Sequence, residues 1–320
     1  MKNILVEEDH FLKILGVILD PSTPEVHKAA VSRFFEHDEP DFSGWCERLR
    51  ARVSGLFPAH IVYADGQDHF QTALVDADAV VVESLRIDAA TVTKAPRLAL
   101  VQKFGVITRN IDLDACAAAS VPVETLRRVG NIAVAEQAFA LLTALAKRIC
   151  QLNGVVEKAA LEARGLSIRP RSPYIGYSNP AGISGLKTLR GATIGIVGFG
   201  EVGQEIARYA AAFGMKILYF QRNQLSNADE ATFDARYASL HDLMAQSEYV
   251  VVQLPLNDST RGIIDRAALS ATKRGAILVN VARAELIDRD TLIDALDSGK
   301  LSGFALDVGT RSRRPPMSHC

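Results

Sequence analysis

Three glycines at positions 198, 200 and 203 lie in the string Thr193-Ile-Gly-Ile-Val-Gly-Phe-Gly-Glu-Val-Gly203. Their spacing is the one by which a backbone cradles the pyrophosphate of a dinucleotide. Gly198 permits a tight turn, Gly200 lets the main chain approach a phosphate, and Gly203 lets a helix pack on the preceding strand. Glu201 and Val202 open that helix, and its first amides would meet the phosphates. Glycines that only turn a corner are the competing reading. Against it, the apolar residues 194–197 read as a buried strand, and an alanine-rich helical pattern follows from 201 to a closing Gly214.

Residues 215–220 read as the next strand, and the residues after it select the nucleotide. Sites for NAD place an acid there to accept the ribose hydroxyls, whereas sites for a 2′-phosphate drop the acid and offer arginine. Here stand Gln221 and Arg222. A neutral Gln221 does not repel a phosphate, and a guanidinium at 222 can hold one by charge-assisted hydrogen bonds. The expectation is NADP(H) ahead of NAD(H), set against an Arg222 that is only a solvated loop charge.

Composition fits a globular protein of two domains: 320 residues, 48% hydrophobic, 23% charged, with a formal net charge of −1. Without a basic block, nucleic acid is not an expected partner. Cys46, Cys116, Cys150 and Cys320 are widely spaced and read as reduced thiols of a cytoplasmic protein, with no metal site. Acids at 7–9 argue against a signal peptide over 11–19, and no run approaches the length of a membrane span, so no membrane is expected.

Strands at 4–6, 60–63, 79–82, 98–101 and 122–125, alternating with helical segments near 24–36, 42–54, 68–75, 87–94 and 113–119, predict a first α/β domain over residues 1–128. A long helix over 131–149 with Asn131 as its N-cap, and a second over about 153–164, lead through a proline-bearing linker at 165–185 to the glycine strand. Further strands at 249–254, 276–281 and 303–308, with helices at 240–245, 266–271 and 290–296, predict a second doubly wound domain over 129–308. A crevice beyond the carboxyl ends of its strands is lined by residues 198–203, 221–223, 255–257, which include Pro255, 282–285 and 307–309.

The motifs Lys103-Phe-Gly-Val-Ile-Thr-Arg-Asn-Ile-Asp112, Val134-Ala-Glu136, Leu189-Arg-Gly191, Leu254-Pro-Leu256, Val279-Asn-Val-Ala-Arg283 and Ala305-Leu-Asp-Val308, in this order, make the chain resemble the D-isomer-specific 2-hydroxyacid dehydrogenases, glyoxylate and hydroxypyruvate reductases among them. The likeness runs from about residue 95 to 308. It implies an α/β protein of two doubly wound parallel-sheet domains, a flavodoxin-like substrate domain and a Rossmann nucleotide domain, working on a small 2-keto or 2-hydroxy acid as a homodimer. It also implies that Arg283 holds the substrate carboxylate and carbonyl, a task suited to a planar, permanently charged fork. By the same resemblance Asp307 lies near the nicotinamide amide, and Leu254, Val281 and Ala282 offer main-chain groups to the cofactor. Phe104, Gly105, Val106 and Ile107 form the loop that faces the substrate.

Three departures stand out. Ile107 replaces the loop's second glycine, Ala284 the glycine after Arg283, and Ser312 the glutamate that tunes a general-acid histidine in the family. Residues 309–320 are polar, with three arginines in four positions, and read as an abrupt change of text that omits the family's Pro-His pair. The expectation is therefore impaired turnover, with a dinucleotide-binding protein without catalysis as the alternative. His319 reads as a solvated tail residue.

Overall fold

The computed structural model describes residues 1–53, 55–155, 157–166, 173–174 and 182–307. It divides into two compact units, residues 1–128 and 129–320. Within the first, five parallel strands, β1 (Lys2–Glu7), β2 (Ala59–Ala64), β3 (Ala79–Val82), β4 (Leu100–Lys103) and β5 (Val123–Thr125), lie in the order β2-β1-β3-β4-β5. That is the flavodoxin-like order. Successive side chains of a strand point to opposite faces. Ile4 and Val6 accordingly enter a core with Val17, Ile18, Val31 and Phe42, while Leu5 enters another with Val80, Val82, Phe70 and Leu74. Both faces are covered, as parallel sheets require.

The second unit has six parallel strands: β6 (Thr193–Val197), β7 (Lys216–Phe220), β8 (Ala235–Tyr237), β9 (Tyr249–Val252), β10 (Ala276–Asn280) and β11 (Leu301–Leu306), in the order β11-β10-β9-β6-β7-β8. Counted from the glycine strand this is 3-2-1-4-5-6, the dinucleotide-binding order, and its direction reverses between β6 and β9. One face packs on the helices Val129–Ala146 and Glu201–Ala212 through Ala138, Leu142, Ile206 and Ala210. The other packs on Leu243, Met244, Leu269 and Ala295.

Several sequence expectations are corrected. The long helix begins at Val129, so Asn131 lies inside its first turn and caps nothing; its Nδ2 donates instead to the Glu201 carboxylate, 2.7 Å away. That helix, 18 residues with a mean hydropathy of 1.5, is long and apolar enough to cross a membrane, where no run of that length was expected. One such helix is weak evidence for a membrane. Its buried residues, Ala135, Ala138, Phe139, Leu142 and Ala146, form the single stripe by which a core helix packs on a sheet. The long helix ends at Ala146, short of the expected 149, a short helix Ile149–Leu152 follows it, and of the helix expected over about 153–164 the structure has Lys158–Glu162; the linker expected at 165–185 falls mainly outside the described residues. The helix Ile14–Leu19, the helix Asn227–Phe233 and β8 were not anticipated. β4 runs to Lys103, two residues past its expected end, because that buried lysine has its ammonium held by the Glu83 carbonyl and by Asn110 Oδ1 at 3.2 Å.

Candidate functional site: a glycine turn at the switch point of the second sheet

The last four residues of β6 are buried where it enters the turn, and Gly198 takes φ +103°, a conformation that favours glycine. A Cβ on Gly203 would lie 2.3 Å from the Gly198 carbonyl oxygen, so helix and turn can meet only without one. Gly200 differs: a Cβ there would meet nothing within 4 Å. Among the described residues its bareness serves no contact, and it leaves the backbone approachable. Phe199 turns inward and packs on Tyr219 and Phe233, at ring-centre distances of 4.5 and 5.5 Å. Among the described residues the amides of Phe199, Gly200 and Val202 make no hydrogen bond, and donors of this kind at a helix start suit an anion. An open approach and unspent donors fit the pyrophosphate of a dinucleotide. Glu201, in the same first turn, is held by Asn131.

Every strand of a parallel sheet ends on the same edge, so the other expected residues assemble around this turn. Gln221 and Arg222 follow β7; Gln221 donates to the Asn223 carbonyl at 2.7 Å, and the exposed Arg222 has no ion pair among the described residues. Leu254 and Pro255 follow β9, where Thr260 closes the loop by donating to the Pro255 carbonyl at 2.7 Å. Asp307 follows β11 and donates its amide to Asn280. Val281, Ala282 and Arg283 follow β10.

Arg283 is exposed, and its guanidinium reaches back to the Ala282 carbonyl at 2.8 Å. Its loop is shaped by Asn280, fully buried at the end of β10. The Asn280 amide donates to the Arg283 carbonyl at 2.8 Å and accepts from the Ala282 N–H at 2.9 Å. Sequence reasoning quoted Asn280 inside a motif without giving it a task. Gln253 was missed altogether; its side-chain amide donates to the Gly198 carbonyl. The signal available for both was a polar residue ending an apolar strand.

In the first unit Phe104, Gly105, Val106 and Ile107 follow β4. Gly105 takes φ +142° and accepts a hydrogen bond from the Leu126 N–H at 3.0 Å. The Arg128 guanidinium lies 5.0 Å from the centre of the Phe104 ring and pairs with the Glu83 carboxylate. Cys46 and Cys116 are buried thiols whose pKa burial pushes up, which makes them inert. Ser312 and His319 lie outside the described residues.

Residues 139–319 match the model of the D-isomer specific 2-hydroxyacid dehydrogenase, NAD binding domain. The chain is 37% identical over 234 residues to a glyoxylate reductase of Thermococcus kodakarensis, covering 73% of this chain and 67% of that protein. It is 34% identical over 249 residues to a D-3-phosphoglycerate dehydrogenase of Mycobacterium leprae, covering 77% and 44%. Among solved structures, the apo form of D-mandelate dehydrogenase from Rhodotorula graminis shares the fold, with a TM-score of 0.54 at 22% identity over 97% of this chain and 82% of that one. The chain belongs to the D-isomer-specific 2-hydroxyacid dehydrogenase family, and its second unit is the family's NAD-binding domain. It spans about two thirds of the length of the glyoxylate reductases it matches.

Proposed function

We propose that this protein is a nicotinamide-dependent oxidoreductase that interconverts a small 2-keto acid of the glyoxylate type and its 2-hydroxy acid, using NADP(H) ahead of NAD(H). The observation that carries the reading is the turn at 198–203, with unspent amides and a bare Gly200 at the point where strand order reverses. When bound, the nicotinamide supplies or takes the hydride. The chain's own work is to hold and polarise the acid. Arg283 takes the planar carboxylate by a two-pronged hydrogen bond and draws charge from the keto oxygen. Asn280 keeps the backbone of that loop in place.

For the 2′-phosphate, the support is a neutral Gln221 beside an Arg222 without an ionic partner among the described residues. Titration with NADPH and NADH tests this, with NADPH expected to bind more tightly; tighter NADH binding overturns the preference. A second reading, a dinucleotide-binding protein with little catalysis, is favoured by Ser312. By the family resemblance Ser312 stands where a glutamate tunes the general acid; a serine carries no charge to do so, and general acid catalysis is worth about two to four orders of magnitude. Slow glyoxylate reduction alongside firm NADPH binding is the expected result, and turnover at an ordinary enzyme rate, on the order of 10 per second, removes the second reading.

A further inference from the structure

We infer that Gln253 is a positioning residue for the cofactor: its side-chain amide sets the peptide plane that aims the Phe199 N–H at the pyrophosphate. The inference rests on the dinucleotide reading above. Gln253 follows the last residue of β9, beside β6, and its own N–H donates to the Val197 carbonyl at 2.9 Å. Its side chain then crosses to the turn, where Nε2 donates to the Gly198 carbonyl. The partner is a carbonyl, so only the amino end of the side chain fits. In a trans peptide the C=O and the next N–H point in opposite directions. A Gly198 carbonyl pinned to Gln253 therefore sends the Phe199 N–H the other way, and that N–H has no partner among the described residues.

A pin is needed because Gly198, at φ +103°, has the freedom to flip this peptide. Flipped, the turn would present a carbonyl oxygen to a doubly charged pyrophosphate in place of a donor. The Gln253 amide fits where Gly203 leaves room, since a Cβ there would lie 2.9 Å from Nε2. Gln253 thus stands behind the turn and acts through it.

The test is the affinity of the full-length protein for ADP-ribose, which carries the pyrophosphate without the nicotinamide, measured by calorimetry beside the melting temperature of the ligand-free protein. Gln253→Leu is expected to weaken ADP-ribose about tenfold, the worth of one hydrogen bond. Gln253→His keeps an N–H donor and is expected to recover most of that loss. If the leucine variant does not fold, Gln253→Met, unbranched and of similar length, takes its place. Binding within twofold of wild type in the leucine or methionine variant, or no recovery with histidine, overturns the role of Gln253. If the wild-type protein itself fails to bind ADP-ribose, the dinucleotide reading falls, and Gln253's role with it.

Discussion

Gly200 and Gly203 open the same helix, and substitution by alanine separates their tasks. At 203 the new methyl would sit 2.3 Å from a backbone oxygen, so helix and turn must move apart. Gly203→Ala is expected to cost about 1–3 kcal/mol of stability, the usual range for an overpacked site, and to weaken ADP-ribose as well. At 200 the methyl enters open space from a backbone of φ −75°, which any residue adopts. Gly200→Ala should leave the urea midpoint within error and still weaken ADP-ribose at least tenfold, because the methyl occupies the phosphate's approach. Full affinity in that variant would show that no phosphate comes near Gly200. These demands were legible in the sequence because each is written in a residue type at a fixed spacing. Gln253 and Asn131 were not: their partners lie 55 and 70 residues away, and nothing local records the pairing. Lys103 misled for a related reason, since a charge at the end of an apolar run ordinarily marks solvent, and only the Glu83 carbonyl and Asn110 make its burial tolerable.

Among the elements, legibility followed length and alternation. The strands with four or more apolar residues and the helices with a clear apolar stripe were readable, while Ile14–Leu19 was not: six apolar residues show no helical period. Asn227–Phe233 and β8 escaped because the first has one large apolar residue, Phe233, and so no apolar stripe, and the second, three residues long, is an edge strand carrying Arg236. What stabilises the seven-residue helix is its start. Ser226 Oγ accepts the Asp229 N–H at 3.1 Å and donates to the Asp229 carboxylate at 2.9 Å. Ser226→Ala removes both bonds and should cost about 1 kcal/mol, read as a lower urea midpoint with an unchanged slope. Phe233, the last residue of this helix, packs on Phe199 behind the glycine turn. A loosened helix should therefore weaken dinucleotide binding by less than threefold; a larger loss with no change in midpoint would mean that Ser226 acts on the site by another route.

At the scale of the molecule each unit carries cores on both faces of its own sheet, and the second unit's inner core has a feature that alkaline titration exposes. Tyr219 and Tyr249 are buried in it, on neighbouring strands to either side of β6. Burial pushes each phenol up to about 12, and at Tyr219 the Glu230 carboxylate that receives its hydroxyl proton at 2.8 Å adds to the shift. The unfolded chain releases these protons near pH 10. A folded-state pKa above the unfolded one means that the native protein holds more protons through the window from 10 to 12. Stability is therefore fully present below pH 10 and declines as pH rises through that window. The loss for the pair is on the order of 2–3 kcal/mol by pH 11. Unfolding free energies from urea titrations at pH 9 and pH 11 should differ by that amount, and phenolate absorbance of the native protein at pH 11 should fall short of the seven tyrosines in the chain. Tyr219→Phe should remove part of the pH dependence. It should also lower stability at pH 7, because the buried Leu225 N–H then loses the hydroxyl oxygen it reaches at 2.8 Å. A flat stability profile from pH 9 to 11 would mean that water reaches these rings, and that the core behind the glycine turn is looser than its packing indicates.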